Sequence, residues 1–181
     1  AERVDVLVNF GALPIGTRVM LRSAGGVLLD LLEFVVTRQV TGSTPPWPTT
    51  LSTIPVWQPG QAVRTRTFTF SGNMLINGRP YDINRIDFQV PLGEMERWRL
   101  TTNNANHPIH VHGAYFQVVS RTGGRGQVYA WESGWKDTVL VQNGETVDVL
   151  IRFDNYRGLY LMHCHRLEHE DMGMMANFEV I

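Results

Sequence analysis

The 181-residue chain has one cysteine, one lysine and no unbroken apolar run long enough for a membrane helix, which needs ~20 residues. A single thiol rules out an internal disulfide and a cysteine-rich zinc site. Acids and bases nearly cancel, 17 against 16, and leave a net charge of −1. That balance gives no electrostatic footprint for nucleic acid and no basic face for anionic lipid. The N-terminus AERVDVLVNF has neither an initiator Met nor the charged, apolar and small-residue layout of a signal peptide. Helical periodicity is scarce as well. What the chain does have is 43% hydrophobic residues, enough for a buried core, and six histidines.

Short alternating or apolar runs dominate. RTRTFTF (64–70), MERWRLTT (95–102), FQVVSR (116–121), DTVLVQ (137–142) and TVDVLIRF (146–153) all read as strands. Asn77-Gly78 and Asn143-Gly144 are dipeptides that tight hairpin turns favour, because both central residues need positive φ. Only LEHEDMGM (167–174) suggests helix, and then a single short turn. Many short strands at hairpin spacing predict an all-β sandwich or barrel.

Residues 41–61 hold five of the nine prolines, Pro45, Pro46, Pro48, Pro55 and Pro59. Proline cannot donate to a ladder, so residues 41–62 are expected to be a linker or wrapping loop. Before it lies a faint internal repeat. ERVDVLVNF (2–10) matches ETVDVLIRF (145–153) at six of nine positions. TRVMLRS (17–23) and LLEFVV (31–36) then correspond to LYLMHCH (159–165) and ANFEVI (176–181). Residues 1–40 therefore read as the last three strands of a preceding, related domain, and the chain as the C-terminal portion of something longer.

All six histidines fall in two motifs, HPIHVHG (107–113) and HCHRLEHEDMGMM (163–175), the second containing the only cysteine. Strand side chains alternate faces, so His110 and His112 share one face, while His163 and His165 point opposite to Cys164. His169 and Met174 lie on a loop that returns to the Cys164 side. Pro108 is expected to bend the chain and turn His107 away from His110 and His112. Two imidazoles, a thiolate and a distant thioether make a trigonal His₂Cys site with a weak axial Met, the donor set of a blue electron-transfer copper. On the other face His110, His112, His163 and His165 suggest several metal ions close together. Four imidazoles are few for such a cluster, so further ligands are expected from another polypeptide segment.

The two motifs resemble the C-terminal copper signatures of the multicopper oxidases, the family of laccases, bilirubin oxidases and bacterial cuprous oxidases. The resemblance covers essentially the whole chain. It implies a cupredoxin-like Greek-key β-sandwich over 63–181, preceded over 1–40 by the terminal strands of a second, copper-free cupredoxin domain. By resemblance, His107, Cys164, His169 and Met174 would bind type 1 copper, His110 type 2 copper, and His112, His163 and His165 the type 3 pair. The family's trinuclear cluster takes eight histidines, and this chain has only four of them. An N-terminal polypeptide of the same oxidase would supply the rest, bringing the complete assembly to about four copper ions. A small reducing substrate, phenol-like or a metal ion, would give electrons at type 1 copper, and the cluster would reduce O₂ to water. The family also suggests a periplasmic or extracellular location.

In the family, an acid at the position of Glu170 is associated with proton delivery to the cluster. Asp137 resembles the acid near the type 1 rim that orients substrate in some members; an ion pair with Lys136 or an arginine accounts for it equally well. Two rival functions remain. A mononuclear blue-copper electron carrier would use the Cys164 set and leave His110, His112, His163 and His165 idle. A copper nitrite reductase would not place a histidine on both sides of the cysteine.

Overall fold

The structure, a computed structural model, describes residues 2–24, 26–42 and 46–181. Pro45 of the proline-rich stretch lies outside them. The chain forms two compact units, one of Ala1–Val4 with Thr53–Ile181, the other of Asp5–Ser52. No helix among the described residues is long and apolar enough to cross a membrane.

The smaller unit carries β1 (Arg18–Arg22) and β2 (Asp30–Val35), an antiparallel pair with Met20 opposite Glu33. Arg18–Glu33 and Arg22–Asp30 ion pairs decorate it, and Phe10 packs on Phe34 with ring centroids 5.3 Å apart. The first strand expected for this region does not form. Residues 2–10 have no strand structure, because a ladder needs a neighbouring strand and the described residues supply none to them.

The larger unit is the expected sandwich. One sheet contains β3 (Arg64–Ser71), β4 (Leu75–Ile76), β6 (Met95–Thr102), β8 (Phe116–Thr122) and β10 (Thr146–Arg152), in the order β4-β3-β6-β10-β8. The other contains β5 (Phe88–Val90), β7 (His107–Val111), β9 (Thr138–Val141), β11 (Gly158–Cys164) and β12 (Met175–Val180), in the order β5-β12-β11-β7-β9. Helix α1 (Leu167–Asp171) is the one α-helix among the described residues. The β3–β6 and β5–β12 pairs are parallel, and every other pair is antiparallel.

Alternation explains how the two sheets meet. In β6, Trp98, Leu100 and Thr102 point inward and are buried, while Arg97 and Arg99 face outward. Trp98 meets Phe178 of the opposite sheet edge-on at 5.6 Å, and Phe88 stacks on Phe178 at 5.0 Å. Outside, Asp148 of β10 accepts from Arg97, from Arg99 Nε at 3.0 Å and from Ser120 Oγ at 2.9 Å, tying three strands together.

The two Asn-Gly turns differ. Asn77 and Gly78 both have positive φ, 52° and 73°, and close a tight turn between Ile76 and Arg79, as the dipeptide predicts. Asn143-Gly144 is not a hairpin. Only Gly144 has positive φ (76°), and the turn carries the chain from β9 in one sheet to β10 in the other. The dipeptide fixes a local bend but not whether the strands beyond it pair with each other. Gly123 approaches this turn so closely that an added Cβ would sit 2.2 Å from the Gly144 carbonyl oxygen.

Under that turn lies a buried ion network. Glu145 accepts from Arg121 Nη1 at 2.5 Å, Arg125 Nε at 2.8 Å and the backbone N–H groups of Gln142 and Arg125 at 2.8 and 2.9 Å. Arg121 also pairs with Glu132, and all three of Arg121, Glu132 and Glu145 are fully buried at their side chains. Burial alone pushes the Glu145 carboxyl up. The Arg125 and backbone hydrogen bonds and the Arg121 charge outweigh it and hold the pKa at about 2. Removing this charge leaves Arg121 under-compensated, so Glu145→Gln should cost roughly 3 kcal/mol, read as a lower urea midpoint at unchanged m-value. Because the folded-state pKa is depressed, the stabilisation is present above the ordinary carboxylate value of 4.5 and is lost as pH falls towards about 2. Wild-type stability should fall through that window, and the Glu145→Gln protein should show a flatter profile there.

Candidate metal centres

The chemistry gathers where β7 lies beside β11. Their ladder sets His163 opposite His110 and Cys164 opposite Ile109. Directly opposite residues share a face, so Cys164 points into the sandwich with the fully buried Ile109, while His163 and His110 point out of it. His107 reaches the Cys164 side for a simpler reason than a bend at Pro108. Strand β7 runs unbroken through the proline, and His107 falls on the inner face with Ile109 and Val111 by ordinary alternation. Pro108 is tolerated inside the strand, and its carbonyl accepts from the His165 N–H at 2.6 Å.

The loop after Cys164 closes on itself. The Cys164 N–H donates to the Met174 carbonyl at 3.1 Å and the Met174 N–H to the His169 carbonyl at 2.9 Å. This brings His169 back onto the sulfur and leaves Met174 fully buried beside it in the same core cluster. His107 Nδ1 lies 3.4 Å from Cys164 Sγ, His169 Nδ1 3.5 Å from Sγ, and the two nitrogens are 3.1 Å apart. The centre of such a triangle is roughly 2 Å from each corner, the length of a metal–imidazole bond. Burial, with smaller contributions from His169 and Arg166, lowers the His107 pKa to about 4, and burial likewise lowers that of His169. Both shifts favour the neutral imidazole, the form a metal ligand must take. Burial raises the Cys164 thiol, a tendency that a coordinated cation reverses. A buried thiol with two converging neutral imidazoles fits a soft transition metal.

A second group forms on the outer face from His110, His112 and His163, whose ligand atoms lie within 4.8 Å of one another. His112 Nε2 and His163 Nε2 are 3.1 Å apart. The far ring nitrogens are held by the backbone, His110 Nδ1 at 2.8 Å from the Asp137 carbonyl and His163 Nδ1 at 3.2 Å from the Cys164 carbonyl. Such bonds fix the tautomer and leave Nε2 for a metal. Burial first, then the neighbouring imidazoles, lowers the His112 pKa, and burial lowers that of His163. His165 is exposed and stands at the edge of the group, its ring centroid 5.3 Å from that of His163 and 5.7 Å from that of His110.

Glu170 comes to this second group, its carboxylate 3.4 Å from His163 Nδ1. Asp137 does as well. Its carboxylate accepts from Arg3 at 2.6 Å and from Thr138 Oγ1 at 2.9 Å, and lies 4.0 Å from His110 Nδ1. These contacts tie Asp137 to His110, and the arginine expected to pair with it is Arg3. Thr138, 3.1 Å from His110 Nδ1, is a site residue that the sequence reading missed. A lone threonine in a β-strand carries no signal of that role.

Comparison with known proteins shows the family. Residues 44–181 match the multicopper oxidase family profile. The chain is 31% identical to a laccase of Bacillus stratosphericus, with all of this chain and 42% of that protein aligned. It is 36% identical to a bilirubin oxidase of Albifimbria verrucaria over 98% of this chain and 35% of that protein. It thus spans about two fifths or less of these relatives' length. Among solved structures, it superposes on a laccase from Pediococcus acidilactici with a TM-score of 0.84 at 31% identity, over 96% of this chain and 38% of the other. The McoA multicopper oxidase from Aquifex aeolicus gives 0.81 at 29% identity, over 96% of this chain and 42% of that one. The two nearly all-β layers agree with these structural matches, and the chain belongs to the multicopper oxidase family.

Proposed function

We propose that the chain is the C-terminal part of a laccase-like oxidase, in which residues 63–181 form the copper-bearing cupredoxin domain. Residues 1–40 would be the closing strands of a copper-free one, and 41–62 the connection. The antiparallel β1–β2 ribbon supports this, since its repeat counterparts β11 and β12 also pair antiparallel. The observation that carries the functional reading is the division of labour around Cys164. Its sulfur meets His107 and His169 inside the sandwich, while the residue before it, His163, meets His110 and His112 outside.

In this reading His107, Cys164, His169 and Met174 hold type 1 copper, His110 type 2, and His112, His163 and His165 the type 3 pair. Copper, when bound, supplies one-electron steps, accepting electrons from a small reducing substrate at the first centre and delivering them to O₂ at the second. Cys164 joins the centres covalently, because one peptide unit links it to His163 and another to His165. The β7–β11 ladder holds that path rigid. Reduction of O₂ to two waters consumes four electrons and four protons. Glu170 would pass protons on the cluster side, a role supported by the 3.4 Å between its carboxylate and His163 Nδ1. An N-terminal polypeptide of the same oxidase supplies the four missing cluster histidines, and the whole is exported to the periplasm or the exterior.

Copper analysis with a visible spectrum tests the assignment. The chain alone should load the thiolate centre and show its colour without oxidase turnover; with its N-terminal partner it should hold about four copper ions. One copper in the complete assembly, with no signal from a coupled pair, would favour an electron carrier instead. Cys164→Ser should abolish the visible absorption and remove about one copper ion per assembly, leaving the cluster ions in place. Glu170→Gln should lower O₂ turnover by about 10-fold or more while electron uptake at the coloured centre keeps its rate. Full turnover with an unchanged pH profile would make Glu170 a surface acid.

A further inference from the structure

A residue near the start of the chain reaches the second histidine group across more than a hundred positions. Arg3 Nη1 donates to Asp137 Oδ1 at 2.6 Å and lies 3.4 Å from Thr138 Oγ1. Thr138 Oγ1 donates to the same carboxylate oxygen at 2.9 Å. Lys136 Nζ returns the grip by donating to the Arg3 carbonyl at 3.5 Å. These residues form the approach to β9, where Thr138 sits opposite His110. Among the described residues, the hydrogen bonds to the His110 ring come from this segment, from the Asp137 main-chain oxygen at 2.8 Å and Thr138 Oγ1 at 3.1 Å.

The Arg3 side chain is 65% exposed, and an ion pair so wetted adds little to folding stability. Its consequence lies elsewhere. The Asp137 carbonyl, which meets the His110 ring, is already anchored by the Val111 N–H at 3.1 Å, so what Arg3 adds is a grip on the Asp137 carboxylate and the Thr138 hydroxyl that stand behind His110 Nδ1. A partner behind a metal-binding imidazole changes metal affinity when it shifts by a fraction of an ångström.

We propose that Arg3 is a positioning residue for the second centre, pinning Asp137 so that His110 presents Nε2 to its metal. The proposal rests on the reading of His110 as a copper ligand. The test uses the copper-loaded complete oxidase and follows copper loss to a strong chelator. The paramagnetic signal of the thiolate-free copper reports the second centre, and the visible thiolate absorption reports the first. Arg3→Gln should speed copper loss from the second centre by roughly 10-fold or more, with the first centre's absorption, its copper retention and the urea midpoint unchanged. Asp137→Asn should act similarly, and the double variant no more strongly than the stronger single one, because both act on one route. Copper loss from Arg3→Gln at the wild-type rate would overturn the proposal. So would equal acceleration at both centres, the mark of general loosening. A His110→Ala control that keeps its full copper complement would overturn the ligand reading itself, and the proposal with it.

Discussion

Everything at this site depends on one property of an extended chain, that neighbouring side chains leave it on opposite sides. At the end of β11 this puts the Cys164 sulfur inside a sandwich and the His163 ring outside it, with two covalently joined residues facing two environments. Strand β7 repeats the device in register, sending His107 inward and His110 outward. Shifting either strand by one residue would send its ligands to the wrong faces and destroy both centres together. Because β7 and β11 are paired on both sides, by β9 and by β12, such a slip is costly.

The two sides differ physically as well as in their ligands. The Cys164 sulfur belongs to the same buried cluster as Ile109, Val111, Met162 and Met174, a close-packed core where side chains have little freedom to rearrange. A metal held there by His107, Cys164 and His169 would find its ligands fixed by that packing. The outer group is half open: His112 and His165 are exposed, and Glu170 is partly so. Its second layer of contacts comes from backbone carbonyls and from Asp137, Thr138 and Glu170, groups that set tautomers and handle protons rather than exclude water. Electron storage suits the first environment, and small-molecule chemistry with protons suits the second.

Much of this was legible in the chain before its structure. Sequence pattern matches β3, β6, β8, β9 and β10 to within a residue or two, because β3 and β6 alternate between buried and outward positions while β9 and β10 are short apolar-rich runs bounded by turns. The two histidine motifs brought the ligands together because their spacing is a strand's spacing. Other features depend on tertiary pairing and left no local trace. Asn143-Gly144 reads as a hairpin, yet its flanking strands join different sheets. Residues 2–10 copy the β10 sequence at six of nine positions but lack the neighbours that make β10 a strand. His107 reaches the inner face by its parity along β7, without the bend that Pro108 suggests. The Arg3–Asp137–His110 line spans more than a hundred residues, and no motif announces it.

The central claim, two metal centres back to back across one strand, is tested most directly by anomalous diffraction at the copper edge from copper-loaded crystals. The account predicts one peak at bonding distance from Cys164 Sγ, His107 Nδ1 and His169 Nδ1, and separate density on the far side of β11 against the Nε2 atoms of His110, His112 and His163. A single peak bridging Cys164 to His163, or none at the sulfur, would contradict it.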